Sequence, residues 1–323
     1  MSQDLTAIVC TLRNPGPSIR SFVQYHLRIG FHRIYLFFDD PRDAWISEVP
    51  SDDRVEILPC DDELRSCWAD WPAMRAFVGT EVMARQVLNA ELAIQLGRQA
   101  GIQWLLHLDA DELIDFGETS VEGFFSDLGR SVEQVSFLNM EVVPEAVDVL
   151  DMFREMTLFK RNRMQIPPRV LSESARLIEA IPQIPPGWFF YYANGKSAVR
   201  LGGGLLPSGV HRFQRSDGVE LRTIHVAGPR VLHYMNSGFA NFWNRYETWG
   251  RFPDFWFGNL PISKSIGSFH LAARDIVATG DIGAAREFYT KHVVILDSAI
   301  ADALLATGLC ERVCRPSTLL STQ

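Results

Sequence analysis

Apolar residues along the first half of the chain switch between two spacings, and the switching predicts strands and helices in turn. Leu5 to Leu12 is a short apolar run closed by Asn14-Pro15-Gly16-Pro17, which predicts a buried strand. Ser18 stands in an N-cap position before Ile19, Phe22, Val23 and Leu27, which recur at helical spacing up to Gly30. His32 to Phe38 predicts a second strand that ends at Asp39-Asp40-Pro41, and Arg54 to Leu58 a weaker third. A long helix follows from about Thr80 to Ala100. Met83, Val87, Ala90 and Ile94 line one face and Leu88, Leu92 and Leu96 another, so it packs on two sides. Ile102 to Leu108 is almost continuously apolar, as a central strand of a parallel sheet is, and it runs into Asp109-Ala110-Asp111-Glu112. A helix near Val121 to Leu128 and a strand near Val135 to Val143 complete the series. This order predicts an α/β fold with an open, mostly parallel twisted sheet flanked by helices.

From about Pro144 to Pro229 the pattern breaks up. Pro167, Pro168, Pro182, Pro185 and Pro186 cluster there, with strand-like pieces at Ser197–Leu201 and Val210–Phe213. This reads as an irregular region that packs on the sheet and shapes a cleft. Arg230 to Tyr234 is one more strand. Helical stretches follow near Phe239–Thr248, Leu271–Val277 and Ile282–Leu305, and Pro316 to Gln323 reads as a loose tail. The expected organisation is one domain over 1–235, divided near 143, then a helical extension over 236–315 packed on it.

Composition narrows the function classes. The 323 residues are 47% hydrophobic and 22% charged, with a net charge of −8, which suits a packed enzyme and lacks the cationic footprint of a nucleic-acid binder. The five cysteines include no CxxC pair, which points to a reducing compartment. No apolar run reaches the roughly 18–20 residues of a membrane span, and no secretory signal opens the sequence. The expectation is a cytoplasmic protein. Abundant Trp and Phe leave a peripheral membrane contact open, and no oligomeric state is read.

The strongest chemical signal is Asp109-x-Asp111 directly after a buried strand. Residues i and i+2 of an extended segment point to one side, so both carboxylates can converge on one ion at the rim where open α/β sheets bind ligands. Oxygen ligands beside phosphate suit Mn²⁺ or Mg²⁺. Asp39-Asp40 ends another strand on the same expected rim. Arg13, in the loop before the first helix, can meet an anion or serve the turn. Arg85 and Asn89 lie one helical turn apart among leucines and need partners, either a loop carbonyl or a bound nucleotide. His233 ends a strand, with His211 as its rival, while His107 reads as strand interior. Ten aromatics between Tyr234 and Phe257 exceed what one helix face buries, so some are free to line a cleft.

Several of these pieces, in order, resemble a glycosyltransferase of the GT-A fold, in the family-2-like group and sharing features with family-92 enzymes. They are Cys10-Thr11-Leu12-Arg13-Asn14 with Tyr25-His26-Leu27-Arg28-Ile29-Gly30, then Ile34 to Asp40, then Trp104 to Glu112, then Gly195 to Arg200 and Val231 to Tyr234. Pro15 stands where that family usually carries Glu. The resemblance implies a nucleotide-sugar donor, UDP-linked, held by Thr11, Arg13, Asp39, Arg85, Asn89 and Asp109, with the nucleotide half over about 1–143 and the acceptor side over 144–235. It implies Mn²⁺ or Mg²⁺ on Asp109 and Asp111, with His233, or its rival His211, as third ligand. The acceptor is a glycan or lipid-linked hydroxyl, and an inverting reaction needs a base, for which Glu145 and Asp254 are the candidates, with Glu141 behind them. Two rivals remain: a nucleotidyltransferase, and a non-catalytic carbohydrate-binding protein on a degenerate transferase fold.

Overall fold

The computed structural model describes residues 4–181, 192–262 and 267–321. Pro182, Pro185 and Pro186 lie outside the described residues. In chain order the elements are β1 (Thr6–Leu12), α1 (Ile19–Ile29), β2 (Arg33–Phe38), β3 (Val55–Pro59), α2 (Asp62–Ser66), α3 (Pro72–Arg75), α4 (Val82–Gln99), β4 (Trp104–His107), β5 (Glu112–Asp115), α5 (Val121–Ser126) and β6 (Gln134–Val142). Next come α6 (Met152–Glu155), β7 (Leu158–Lys160), α7 (Pro168–Glu173), α8 (Ala175–Ala180), β8 (Lys196–Arg200), β9 (Leu205–Ser208), β10 (Arg212–Arg215) and β11 (Thr223–His233). The chain closes with α9 (Phe239–Trp249), β12 (Phe255–Trp256), β13 (Leu260–Pro261), α10 (Gly267–Val277), α11 (Ile282–His292), α12 (Ser298–Ala306), β14 (Cys310–Arg312) and α13 (Arg315–Ser321). Two compact units result, one of residues 1–138 and 194–231, the other of 139–193 and 232–323.

The first unit is a mixed α/β sheet in the order β3-β2-β1-β4-β8-β6. β3, β2, β1 and β4 are parallel, whereas β8 runs antiparallel to both β4 and β6. The sheet is therefore mixed: four neighbouring strands pair in parallel as expected, and β8 breaks the pattern. Apolar runs cannot separate the two senses, because a strand covered on both faces reads the same either way. Every residue of β1 is buried. Ala7, Val9, Tyr35, Phe37 and Leu105 share a cluster with Leu88, Leu92 and Ala93 of α4, which accounts for the leucine face of that helix.

The α1 helix buries Ile19, Phe22, Val23, Tyr25, His26 and Ile29, and Gly30 ends it in the left-handed conformation. Ser18 occupies the N-cap position, but its side chain makes no capping bond. The Tyr25 hydroxyl donates to the Ile114 carbonyl at 3.2 Å, and His26 Nε2 accepts the Ile114 N–H at 3.4 Å. Burial lowers the His26 pKa to about 3, which keeps this ring nitrogen an acceptor. The Tyr-His pair thus clamps β5 directly after the acidic turn.

In the second unit the end of β6 pairs with β7, and β7 pairs with β14, both antiparallel. Phe242, Tyr246, Phe269 and Tyr289 form its aromatic core, whereas Trp249 and Phe255 remain exposed. The apolar stretch 282–305 is two helices, because Asp297 caps a new one by accepting the Ala299 N–H at 2.9 Å. The expected loose tail is helical through Ser321, with Pro316 and Leu320 buried. All five cysteines are free thiols. No helix among the described residues is long and apolar enough to cross a membrane.

Candidate active site

The parallel register aligns the carboxyl ends of β1, β2 and β4. Leu12 sits opposite Phe38, and Val9 opposite both Tyr35 and His107. The Asp39 N–H donates to the Leu12 carbonyl at 2.8 Å, and the Leu108 N–H to the Val9 carbonyl at 3.0 Å. Thr11, Asp39 and Asp109 therefore leave the sheet along one rim, as the sequence order predicts.

Four of the residues expected around the nucleotide-sugar donor are brought together there, and they bond chiefly to one another. Arg85 donates to both Asp39 oxygens, from Nε at 2.6 Å and from Nη2 at 2.9 Å, and to the Val78 carbonyl at 2.8 Å. Arg65 donates to the Asp39 backbone carbonyl at 3.0 Å. The Asn89 amide donates to Thr11 Oγ1 at 3.0 Å, and its oxygen accepts the Trp68 indole N–H at 2.8 Å. Thr11, Asp39 and Asn89 are buried. The polar groups among the leucines of α4 thus find protein partners, as buried polar groups must. Arg13 is exposed on its loop. The next residue, Asn14, takes a positive φ, donates its N–H to Asp43 and accepts the Trp45 indole N–H at 3.0 Å.

The acidic turn is built around Lys196. Its ammonium, with no side-chain exposure, lies 2.8 Å from Asp109 Oδ2, 3.6 Å from Glu112 Oε2 and 3.1 Å from the Val210 carbonyl. Gln86 donates to the other Asp109 oxygen at 2.8 Å, and Glu112 accepts the Asp109 backbone N–H at 2.9 Å. Asp111 is half-buried beside them. Burial works against charge on both Asp109 and Lys196. Their mutual attraction outweighs it, lowering the Asp109 pKa and raising that of Lys196. His107, two residues before Asp109, is lowered to about 3 by burial and by Lys196, so the ring is neutral.

Asp109, Asp111 and Glu112 set three carboxylates against the Lys196 ammonium. This excess of negative charge fits a divalent cation. Among the described residues no group of three His, Cys, Asp or Glu is placed to hold a metal ion. Asp109, Asp111 and Glu112 are the residues that could hold such an ion here, as one or two carboxylates of a ligand set completed by phosphate and water.

The remaining sequence candidates have partners of their own. His211 Nδ1 is 2.8 Å from the Gly195 carbonyl oxygen. His233 belongs to the second unit, with Nδ1 3.5 Å from Glu141 Oε1. Glu141 is buried and bonded to Lys160 at 2.6 Å, and Lys160 and His233 outweigh the upward effect of burial to hold its pKa at about 2. Glu145 is held by Arg312 through both oxygens, at 2.5 and 2.7 Å. Asp254 is mostly exposed and pairs with Arg274 at 2.8 Å. Sequence reasoning gave no role to Lys196, although the residue stands in a segment that carries the resemblance. It also passed over His270, whose two ring nitrogens meet the hydroxyls of Tyr192 and Tyr246 at 2.5 and 2.7 Å.

No protein-family model matches the chain. It is similar to two Arabidopsis thaliana proteins, each named glycosyltransferase-like. One is 27% identical over 98% of this chain and 72% of the relative. The other is 29% identical over 74% of this chain and 46% of the relative. Relatives so named, with a mixed α/β sheet that gathers its acidic residues at the carboxyl rim, support a glycosyltransferase family for this chain.

Proposed function

We propose that the protein is a glycosyltransferase of the GT-A type that moves a sugar from a nucleoside-diphosphate donor, UDP-linked, to a hydroxyl of a glycan or lipid-linked acceptor, with inversion. The observation that carries this reading is the Asp109-Ala110-Asp111 turn at the carboxyl end of β4, on the same rim as Asp39 at the end of β2. Asp111 and Asp109 face the donor diphosphate. Mn²⁺ or Mg²⁺, when bound there, supplies neutralisation of the negative charge that builds on the departing diphosphate. Arg13, exposed beside the rim, is the side chain we assign to the phosphates. Thr11, Asp39, Arg85 and Asn89 form the wall against which the nucleoside rests, held rigid by their mutual bonds. The acceptor proton needs a base. Glu145 and Asp254 carry that assignment only if Arg312 and Arg274 release them.

A panel of nucleotide sugars with Mn²⁺, read by thermal shift, tests the reading. A ligand that binds the folded state raises the melting temperature in proportion to its affinity. Selective stabilisation by one nucleoside-diphosphate sugar is expected. No stabilisation by any of them, with or without Mn²⁺, overturns the reading.

A further inference from the structure

We propose that Lys196 is a positioning residue of this site: its buried ammonium fixes Asp109 and lowers the negative charge that a metal-bound diphosphate would meet at the acidic turn. The inference rests on the transferase reading above and adds a residue to it.

Three observations carry it. Lys196 is fully buried, so it acts on a ligand only through the groups it touches. Those groups are Asp109, Glu112 and the Val210 carbonyl, all on the turn or facing it. Gln86 of α4 completes the hold on Asp109 from the other oxygen. The backbone that delivers Lys196 is equally constrained. Gly195, just before it, has a φ of +60°, and a Cβ there would run into the Phe137 carbonyl. Lys196 then pairs in register with Phe137 as β8 begins.

Charge explains the purpose. Lys196 cancels one of the negative charges that Asp109, Asp111 and Glu112 bring to the turn, so a diphosphate approaching the ion-loaded site meets one charge less of repulsion. Without Lys196 the turn is one unit more negative after the ion binds. A diphosphate is then repelled, while the ion itself is held as well as before or better. A lysine that merely supported the fold would lose both ligands together.

The test is calorimetric titration of the full chain with MnCl₂, and then of the Mn²⁺-loaded protein with UDP, for the wild type and Lys196→Met. Expected are Mn²⁺ affinity equal to or above that of the wild type and UDP affinity reduced at least about tenfold, with partial recovery in Lys196→Arg. Should Lys196→Met fail to fold, Asp109→Asn/Lys196→Arg closes a cycle on the two partners. Its UDP affinity should then fall by less than the product of the losses in Asp109→Asn and Lys196→Arg. Parallel loss of Mn²⁺ and UDP in Lys196→Met, unchanged UDP affinity, or independent effects in the double variant would overturn the assignment. A wild type that binds neither UDP nor any nucleotide sugar refutes the transferase reading instead.

Discussion

Glu141→Gln offers a quantitative test of the second unit. Glu141 is buried beside Lys160, and its carboxyl is held at about 2 against an ordinary 4.5. At about 1.36 kcal/mol for each factor of ten, the ionised form contributes about 3.4 kcal/mol to folding. Because the folded pKa is depressed, this stability is present above pH 4.5 and is lost as pH falls toward 2. At pH 3 about 1.4 kcal/mol of it should remain. Gln keeps the shape, removes the charge and leaves Lys160 buried without its anion, a change of about 3–5 kcal/mol in comparable pairs. For a unit of about 150 residues, 3 kcal/mol corresponds to a fall in Tm of about 6–12 °C. Thermal melts followed by circular dichroism from pH 7 to pH 3 measure the gap between wild type and variant. The gap should shrink by about 2 kcal/mol by pH 3. A gap that is constant with pH, or under about 1 kcal/mol at pH 7, would show that Glu141 is not ionised against Lys160 and would refute the reasoning.

Two further substitutions probe the first unit. Asn89→Ala leaves the Trp68 indole N–H and the Thr11 hydroxyl without their buried partner, so the urea midpoint should fall by the equivalent of about 1–3 kcal/mol and Trp68 fluorescence should shift. A loss under about 0.5 kcal/mol would mean that the network does not hold Thr11 and Asn89 in place at the rim. Gly195→Ala meets both a positive φ and the Phe137 carbonyl, whereas Gly209→Ala meets a positive φ alone, with no atom within 4 Å of its added Cβ. The first should therefore cost clearly more than the roughly 1–2 kcal/mol of the second, in chemical denaturation. Equal losses would mean that β8 shifts freely at this point.

Much of the first unit is legible because its strands and helices carry uninterrupted signals. The apolar run 5–12, the breaker Asn14-Pro15-Gly16-Pro17, the helical spacing up to Gly30 and the two-faced stripe of α4 each decide one element. The register of β1 with β2 and β4 then puts Asp39 and Asp109 on a common rim, as expected from a strand-helix order. What sequence patterning missed depends on long-range partners. Nothing local marks β8 as antiparallel, or tells that Lys196 reaches Asp109 across 87 positions. Arg85 and Asn89 raised the right question, a polar group among leucines, but their partners Asp39 and Trp68 are settled only by the fold. In the second unit the stretch 282–305 kept its apolar content across the break, and only the Asp297 cap divides it. Leu320 looked like part of a tail because a single apolar residue near a terminus has no period to read.

Release of free nucleoside diphosphate from a nucleotide sugar, in the presence of Mn²⁺ and a hydroxyl acceptor, measures the central claim most directly when wild type and Asp111→Asn are compared. The account predicts release by the wild type and a loss of at least about a hundredfold in Asp111→Asn, with the same melting temperature in both. Near-normal release from the variant, or pyrophosphate as the product of the wild type, would contradict it.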